Sequence, residues 1–297
     1  MTVLATTLLR PAGLARALGL DVVIASETGQ HTGSFKFRAA YNLASSVPNA
    51  HVITASSGNF GQALAYACKL LGKRCTVVMP TTSAKVKIAA VRGHGATVEL
   101  VDTTVVPRAV RVAELAAQDP AAYVASAYDD PYVIAGNASL GRELAAEGFD
   151  VVVAPVGGGG LTAGIIVGLR EAGASTSVVG AEPLLANDAA RSLAAGYVVA
   201  NEQEPGTMAD GARTVSLGKH NWEVLKTGLA GIVEVPEEAI ARGVRLLREH
   251  TGLRVEPTGA LAIAALLVDP DRFAGARVCA VASGGNVDDE VYDALVR

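Results

Sequence analysis

Short apolar runs recur along the chain at residues 22–24, 51–54, 76–79, 97–100, 123–125, 151–154, 177–180 and 278–281. Alanine-rich stretches follow nearly every one, and those at 61–71, 84–92 and 162–172 read as helices. Inside the runs apolar residues do not alternate with polar ones, and β-branched side chains are frequent. A strand covered on both faces has that character, whereas a strand with one wet face alternates. Buried strands alternating with helices predict an α/β chain of doubly wound, open parallel sheets. The β-α units in 51–128 read as a self-contained smaller domain, inserted into a larger one made of 1–50 and 129–297. No Pro/Ser linker and no internal repeat divides the chain.

Composition narrows the function classes. Half of the 297 residues are hydrophobic and 18% are charged, which supports a sizeable core and argues against disorder. The net charge of −4, with no long basic run, argues against a nucleic-acid partner. No apolar run approaches the roughly 18 residues of a membrane span, so no membrane partner is expected. The first residues lack a basic n-region and a cleavage site. Arg10 and Arg16 read as part of one or two helical turns rather than a transit peptide. Cys68, Cys75 and Cys279 sit in apolar settings without metal-ligand spacing, and read as reduced thiols of a cytoplasmic protein.

Four stretches carry candidate chemistry. In Thr32-Gly33-Ser34-Phe35-Lys36-Phe37-Arg38 a turn leads into a helix start, with Ser34 suited to the N-cap. Lys36 then lies at the positive helix end between aromatic residues, which disfavours its charged form and suits Schiff-base chemistry. A surface lysine at a helix start is the plain alternative. Ser56-Ser57-Gly58-Asn59-Phe60 joins a strand to a helix, where backbone amides bind anions such as a substrate carboxylate. Gly157-Gly158-Gly159-Gly160-Leu161 also follows a strand and opens a helix, so several N–H groups can converge on one phosphate. It has neither the Gly-Lys-Ser/Thr of a Walker loop nor dinucleotide spacing. In Glu182-Pro183-Leu184-Leu185-Ala186-Asn187-Asp188, two carboxylates with a carbonyl between them suit a hard cation. A solvated loop is the ordinary alternative there.

Taken together, these motifs resemble the pyridoxal 5′-phosphate (PLP) enzymes of the tryptophan-synthase β type, fold type II, and within them the serine/threonine dehydratase and serine racemase branch. The resemblance runs from about Thr7 to Asp288, with the motifs in the family's order. It implies PLP in a cleft between the two domains, bound by Lys36, Phe35, Asn59, Gly157, Gly158, Gly159, Gly160, Leu161, Glu256 and Ser283. Lys36 would be the catalytic lysine and Ser57 a second acid/base on the opposite face. Ser56, Ser57, Gly58, Asn59 and Phe60 would hold the substrate. Ser283 would face the pyridine nitrogen, and its neutral hydroxyl favours β-elimination over transamination. Glu182, the Ala186 carbonyl and Asp188 would ligate Mg2+, Mn2+ or Ca2+. A homodimer is also implied.

Two departures stand out. Phe60 replaces a histidine common in this branch, and Gly136-Asn137-Ala138-Ser139 replaces Gly-Gln-Gly-Thr on a segment that faces the cofactor. The C-terminal regulatory domain of allosteric threonine dehydratases is not expected. The expected activity is a PLP-dependent ammonia-lyase acting on a β-hydroxy amino acid such as L-threonine or L-serine. Racemisation, β-replacement and a binding protein without chemistry are the competing readings, and Lys36, Asn59 and Ser283 speak against the last.

Overall fold

The computed structural model describes residues 3–297. Among them the strands are β1 (Thr7–Leu9), β2 (Asp21–Ser26), β3 (His51–Ala55), β4 (Arg74–Pro80), β5 (Thr97–Val101), β6 (Tyr123–Ala125), β7 (Val151–Pro155), β8 (Ser177–Pro183), β9 (Leu229–Val235) and β10 (Arg277–Ala282). The first helices are α1 (Ala12–Leu18), α2 (Lys36–Ser46), α3 (Asn59–Leu70), α4 (Lys85–Gly93), α5 (Arg108–Gln118) and α6 (Pro131–Ala145). Then follow α7 (Gly160–Glu171), α8 (Asp188–Ala195), α9 (Lys219–Gly228), α10 (Glu237–Thr251), α11 (Pro257–Val268) and α12 (Asp289–Val296).

Two sheets result. The larger has the order β1-β2-β10-β7-β8-β9, parallel except for β1 against β2. The smaller has the order β5-β4-β3-β6 and is parallel throughout. All eight apolar runs read from the sequence are strands, and the smaller sheet uses only residues 51–125. Helix α2, which precedes residue 51, packs in the core of the smaller sheet, with Phe37, Ala40 and Leu43 against Val52, Leu64 and Val77.

Helix α11 is apolar on nearly every side and lies buried between α10 and strands β7–β10 of the larger sheet. Each fully buried Leu or Ile there contributes about 1.5–3 kcal/mol of transfer free energy. Helices α6 and α7 approach closely because glycines face the contact: a Cβ on Gly168 would lie 2.1 Å from the Ala138 carbonyl oxygen. Parallel strands deliver the loops after their carboxyl ends to one edge. For this reason the segments after β2, β7 and β10 meet although they are distant in sequence, and Asn59, after β3 of the smaller sheet, reaches Glu256 and Asn286 beside them.

Candidate active site

Lys36 is the first residue of α2. Part of its surface is open to a cavity, but its ammonium is enclosed by protein and donates to the Ala127 carbonyl at 2.8 Å. Burial lowers its pKa from 10.5 to about 8, against an opposing pull from Glu256. The Phe35 and Phe60 ring centroids lie 5.0 and 5.8 Å from Nζ.

The lysine turn is sewn to the turn after β10. Ser34 bridges Gly284, the Phe35 N–H donates to the Ser283 carbonyl at 3.0 Å, and the Gly285 N–H donates to the Gly33 carbonyl at 3.0 Å. Ser34 does not cap α2 as its sequence position predicts. Its backbone is extended to pair with Gly284, and Phe35 supplies the non-capping residue before the helix. The Ser34 hydroxyl is left buried with no hydrogen-bond partner.

Asn59, the first residue of α3, joins three segments. Its Nδ2 donates to both Glu256 carboxylate oxygens, at 2.8 and 3.1 Å, and its Oδ1 accepts from Asn286 Nδ2 at 2.8 Å. Asn286 also donates to the Thr32 carbonyl at 2.7 Å, which fixes the orientation of its own amide. Glu256 precedes α11 but does not cap it with its side chain. Burial pushes its pKa up to about 8, reinforced by Asp210 and opposed by the Asn59 hydrogen bond.

Phe35, Lys36, Tyr128, residues 157–161, Gly211, Thr258 and Ser283 line one cavity. Gly159 has φ +92°, a left-handed conformation that leaves glycine as the residue without strain. Ser283 is buried, and its hydroxyl has no hydrogen-bond partner. A buried polar group left unpaired costs roughly 1–3 kcal/mol, so a ligand able to pair with it would recover that energy.

The expected substrate loop divides in two. The Ser56 hydroxyl accepts from the Gly61 N–H at 3.1 Å and holds the turn, while Ser57 is half-buried and Gly58 exposed. Phe60 is sunk in the core of the smaller sheet, so it reaches the lysine as an apolar wall.

Glu182, Ala186 and Asp188 cluster at the start of α8, away from that cavity's lining. Both Glu182 oxygens accept from helix amides, Ala189 and Ala190, each at 2.8 Å. Asp188 Oδ1 accepts from Asn201 Nδ2 at 2.9 Å, while its Oδ2 is buried without a partner. Burial raises Glu182 to about 9 and Asp188 to about 7. Among the described residues no group of three or more His, Cys, Asp or Glu side chains could hold a metal.

Sequence reasoning missed Asn286, Tyr128, Thr258 and Gly211 as site residues. The Asn that ends the Ser283-Gly284-Gly285-Asn286 turn was the one available signal for Asn286.

The chain is similar to known proteins over nearly its whole length. A family model described as pyridoxal-phosphate dependent enzyme matches residues 1–284. An L-threo-3-hydroxyaspartate ammonia-lyase of Pseudomonas sp is 36% identical, across 94% of this chain and 89% of the relative. A serine racemase of Schizosaccharomyces pombe is 33% identical, across 92% and 85%. Among solved structures, a serine racemase of Dictyostelium discoideum superposes with a TM-score of 0.90 at 33% identity, across 96% of this chain and 94% of that one. A threonine deaminase structure superposes equally well, with a TM-score of 0.90 at 39% identity and the same coverage of both chains. This chain belongs to the family of pyridoxal-phosphate dependent enzymes, with the fold type II architecture.

Proposed function

We propose that this enzyme is an ammonia-lyase that converts a β-hydroxy amino acid, such as L-threonine, L-serine or L-threo-3-hydroxyaspartate, to a 2-oxo acid and ammonia. The observation that carries the reading is the enclosed, weakly basic Lys36 on the same cavity as the glycine loop and an unpartnered, neutral Ser283 hydroxyl. The donor set fits PLP. Lys36 would bind its aldehyde carbon, the amides of Gly157, Gly158, Gly159, Gly160 and Leu161 its phosphate, and Ser283 its ring nitrogen. Phe35, Asn59 and Glu256 would border the ring.

Bound PLP supplies a sink for the electron pair released at Cα. The residues of this chain do the rest. Backbone groups of Ser56, Ser57, Gly58, Asn59 and Phe60, with the Ser57 hydroxyl, would fix the substrate carboxylate. Lys36 Nζ, freed by the incoming amine, takes the Cα proton, and hydroxide leaves Cβ. The released enamine hydrolyses to the 2-oxo acid and ammonia. A well-placed proton acceptor of this kind contributes roughly 10²–10⁴-fold.

The substrate reading is tested by 2-oxo acid release from a panel of L- and D-serine, threonine and 3-hydroxyaspartate. Strong release from one member supports the lyase and names its substrate. Inversion of Cα without 2-oxo acid would replace it with racemisation through Ser57, and Ser57→Ala would then abolish inversion.

The lowered basicity of Lys36 sets a pH dependence. The neutral amine captures PLP, and its fraction rises with pH through about 8. Recombination of the cofactor-free protein with PLP is therefore expected to quicken up to about pH 8 and level off above it. A rate still climbing steeply at pH 10 would show an ordinary lysine.

Glu182, the Ala186 carbonyl and Asp188 are the oxygen donors this reading offers a structural cation, and the unpartnered Asp188 Oδ2 is the atom such an ion would satisfy. Mg2+, Mn2+ or Ca2+ is expected to raise the thermal midpoint by a few degrees over an EDTA-treated sample, and Asp188→Asn to remove the difference. Equal midpoints with and without each ion would discard the site. The homodimer and a cytoplasmic setting belong to the same reading. The described cysteines are unpaired and buried, and among the described residues no helix is long and apolar enough to cross a membrane.

A further inference from the structure

The glycine loop has almost no side chains with which to hold its own shape, and glycine loses more conformational freedom on ordering than any other residue. Two buried asparagines from different helices reach its backbone. Asn221 of α9 donates from Nδ2 to the Gly158 carbonyl at 2.6 Å, which also accepts the Gly218 N–H at 3.1 Å, and to the Tyr128 carbonyl at 3.1 Å. Asn137 of α6 donates from Nδ2 to the Gly160 carbonyl at 3.0 Å. Between them, the Gly159 carbonyl accepts the Ala163 N–H within α7 at 2.9 Å. Neither asparagine is exposed.

The described chain has no cis peptide bonds. In a trans peptide the C=O and the following N–H point in opposite directions. Holding the Gly158 carbonyl toward Asn221 therefore turns the Gly159 N–H away from it. Holding the Gly160 carbonyl toward Asn137 does the same for the Leu161 N–H. Both amides belong to the stretch that lines the cavity.

The cost of this arrangement is visible. Oδ1 of Asn137 and Oδ1 of Asn221 are both buried without a partner. An apolar side chain of similar size would fill the same space without leaving a buried acceptor unpaired. The donor halves of these amides are thus the part that the loop uses. Asn137 is held close to α7 by Gly164, where a Cβ would come within 2.3 Å of the asparagine Cβ.

We propose that Asn137 and Asn221 are positioning residues for the cofactor phosphate: they clamp the Gly160 and Gly158 carbonyls so that the Leu161 and Gly159 amides face it before it binds. This role holds whichever amino acid the enzyme deaminates. It also gives a function to the Gly136-Asn137-Ala138-Ser139 segment, whose sequence departs from the pattern of the resembled branch.

The test compares PLP with pyridoxal, which lacks the phosphate, on enzyme resolved of cofactor and reloaded, with affinity read by absorbance. Asn137→Leu and Asn221→Leu are each expected to weaken PLP by about tenfold, the size of one lost buried hydrogen bond. Pyridoxal affinity should change by less than about twofold, and Asn137→Gln, which keeps a donor, should recover most of the loss. Equal losses for PLP and pyridoxal would make the asparagines merely structural, and no loss for either would make them irrelevant. Each result overturns the proposal. If the leucine variants do not fold, the unmodified chain still decides it. Its Gly159 and Leu161 amide proton resonances are expected to move downfield when PLP replaces pyridoxal, and unmoved resonances would overturn the clamp.

Discussion

Lys36→Ala is expected to lose the absorbance of bound cofactor and to drop turnover by about 10⁴-fold or more, because in the proposed mechanism one side chain serves as both cofactor anchor and proton acceptor. The loss should come without unfolding. Lys36 is enclosed with its pKa lowered to about 8, which means that burial disfavours the charged ammonium. Removing it takes away one hydrogen bond, to the Ala127 carbonyl, together with that desolvation cost. The thermal midpoint of the cofactor-free variant should therefore stay close to that of the cofactor-free parent. Borohydride should fix the cofactor to Lys36 in the parent and to no residue in the variant. A Lys36→Ala protein that stays yellow and active would remove this lysine from the mechanism.

The interior strands could be read from the sequence because they are covered on both faces and therefore show unbroken apolar runs. The edges of the larger sheet could not. Strand β9 reads Leu-Ala-Gly-Ile-Val-Glu-Val, with exposed positions and a register shift at its start against β8. Strand β1 has only three residues, antiparallel on the other edge. The placement of the glycine loop and Lys36 at helix starts was readable for a related reason, since each follows a strand and opens a helix.

Roles that depend on distant partners were not readable. Asn59 meets Glu256 and Asn286 from positions 197 and 227 residues away, a closure that only the sheet topology sets. Ser56 and Ser34 carry further contacts that residue type alone did not disclose. The Ser56 hydroxyl holds the Gly61 amide, and the Ser34 backbone pairs with Gly284.

Arg38→Met is expected to cost about 3–5 kcal/mol of folding stability, read by denaturant titration. The Arg38 side chain is fully buried, two residues after Lys36 on α2. It donates to Glu27 from Nε at 2.8 Å and Nη2 at 3.0 Å, and to Glu143 from Nη1 at 2.7 Å and Nη2 at 3.0 Å. Nη1 also reaches the Ser139 hydroxyl at 3.0 Å, and Nη2 the Leu4 carbonyl at 3.1 Å. The large effect comes from what is left behind. The Glu143 side chain is 31% exposed and can return to water, but the Glu27 side chain has no exposure and would be a stranded buried carboxylate. A double variant, Glu27→Met with Arg38→Met, removes both charges and should recover much of the loss, as replacement of a whole buried pair by apolar groups often does. If Arg38→Met costs less than about 1 kcal/mol, or the double variant is as unstable as the sum of the singles, the pair does not act as a unit. If instead the coupling appears, it ties β2, α2 and α6 together directly behind Lys36. The lysine's position would then rest on a buried charge pair as much as on the turn that precedes it.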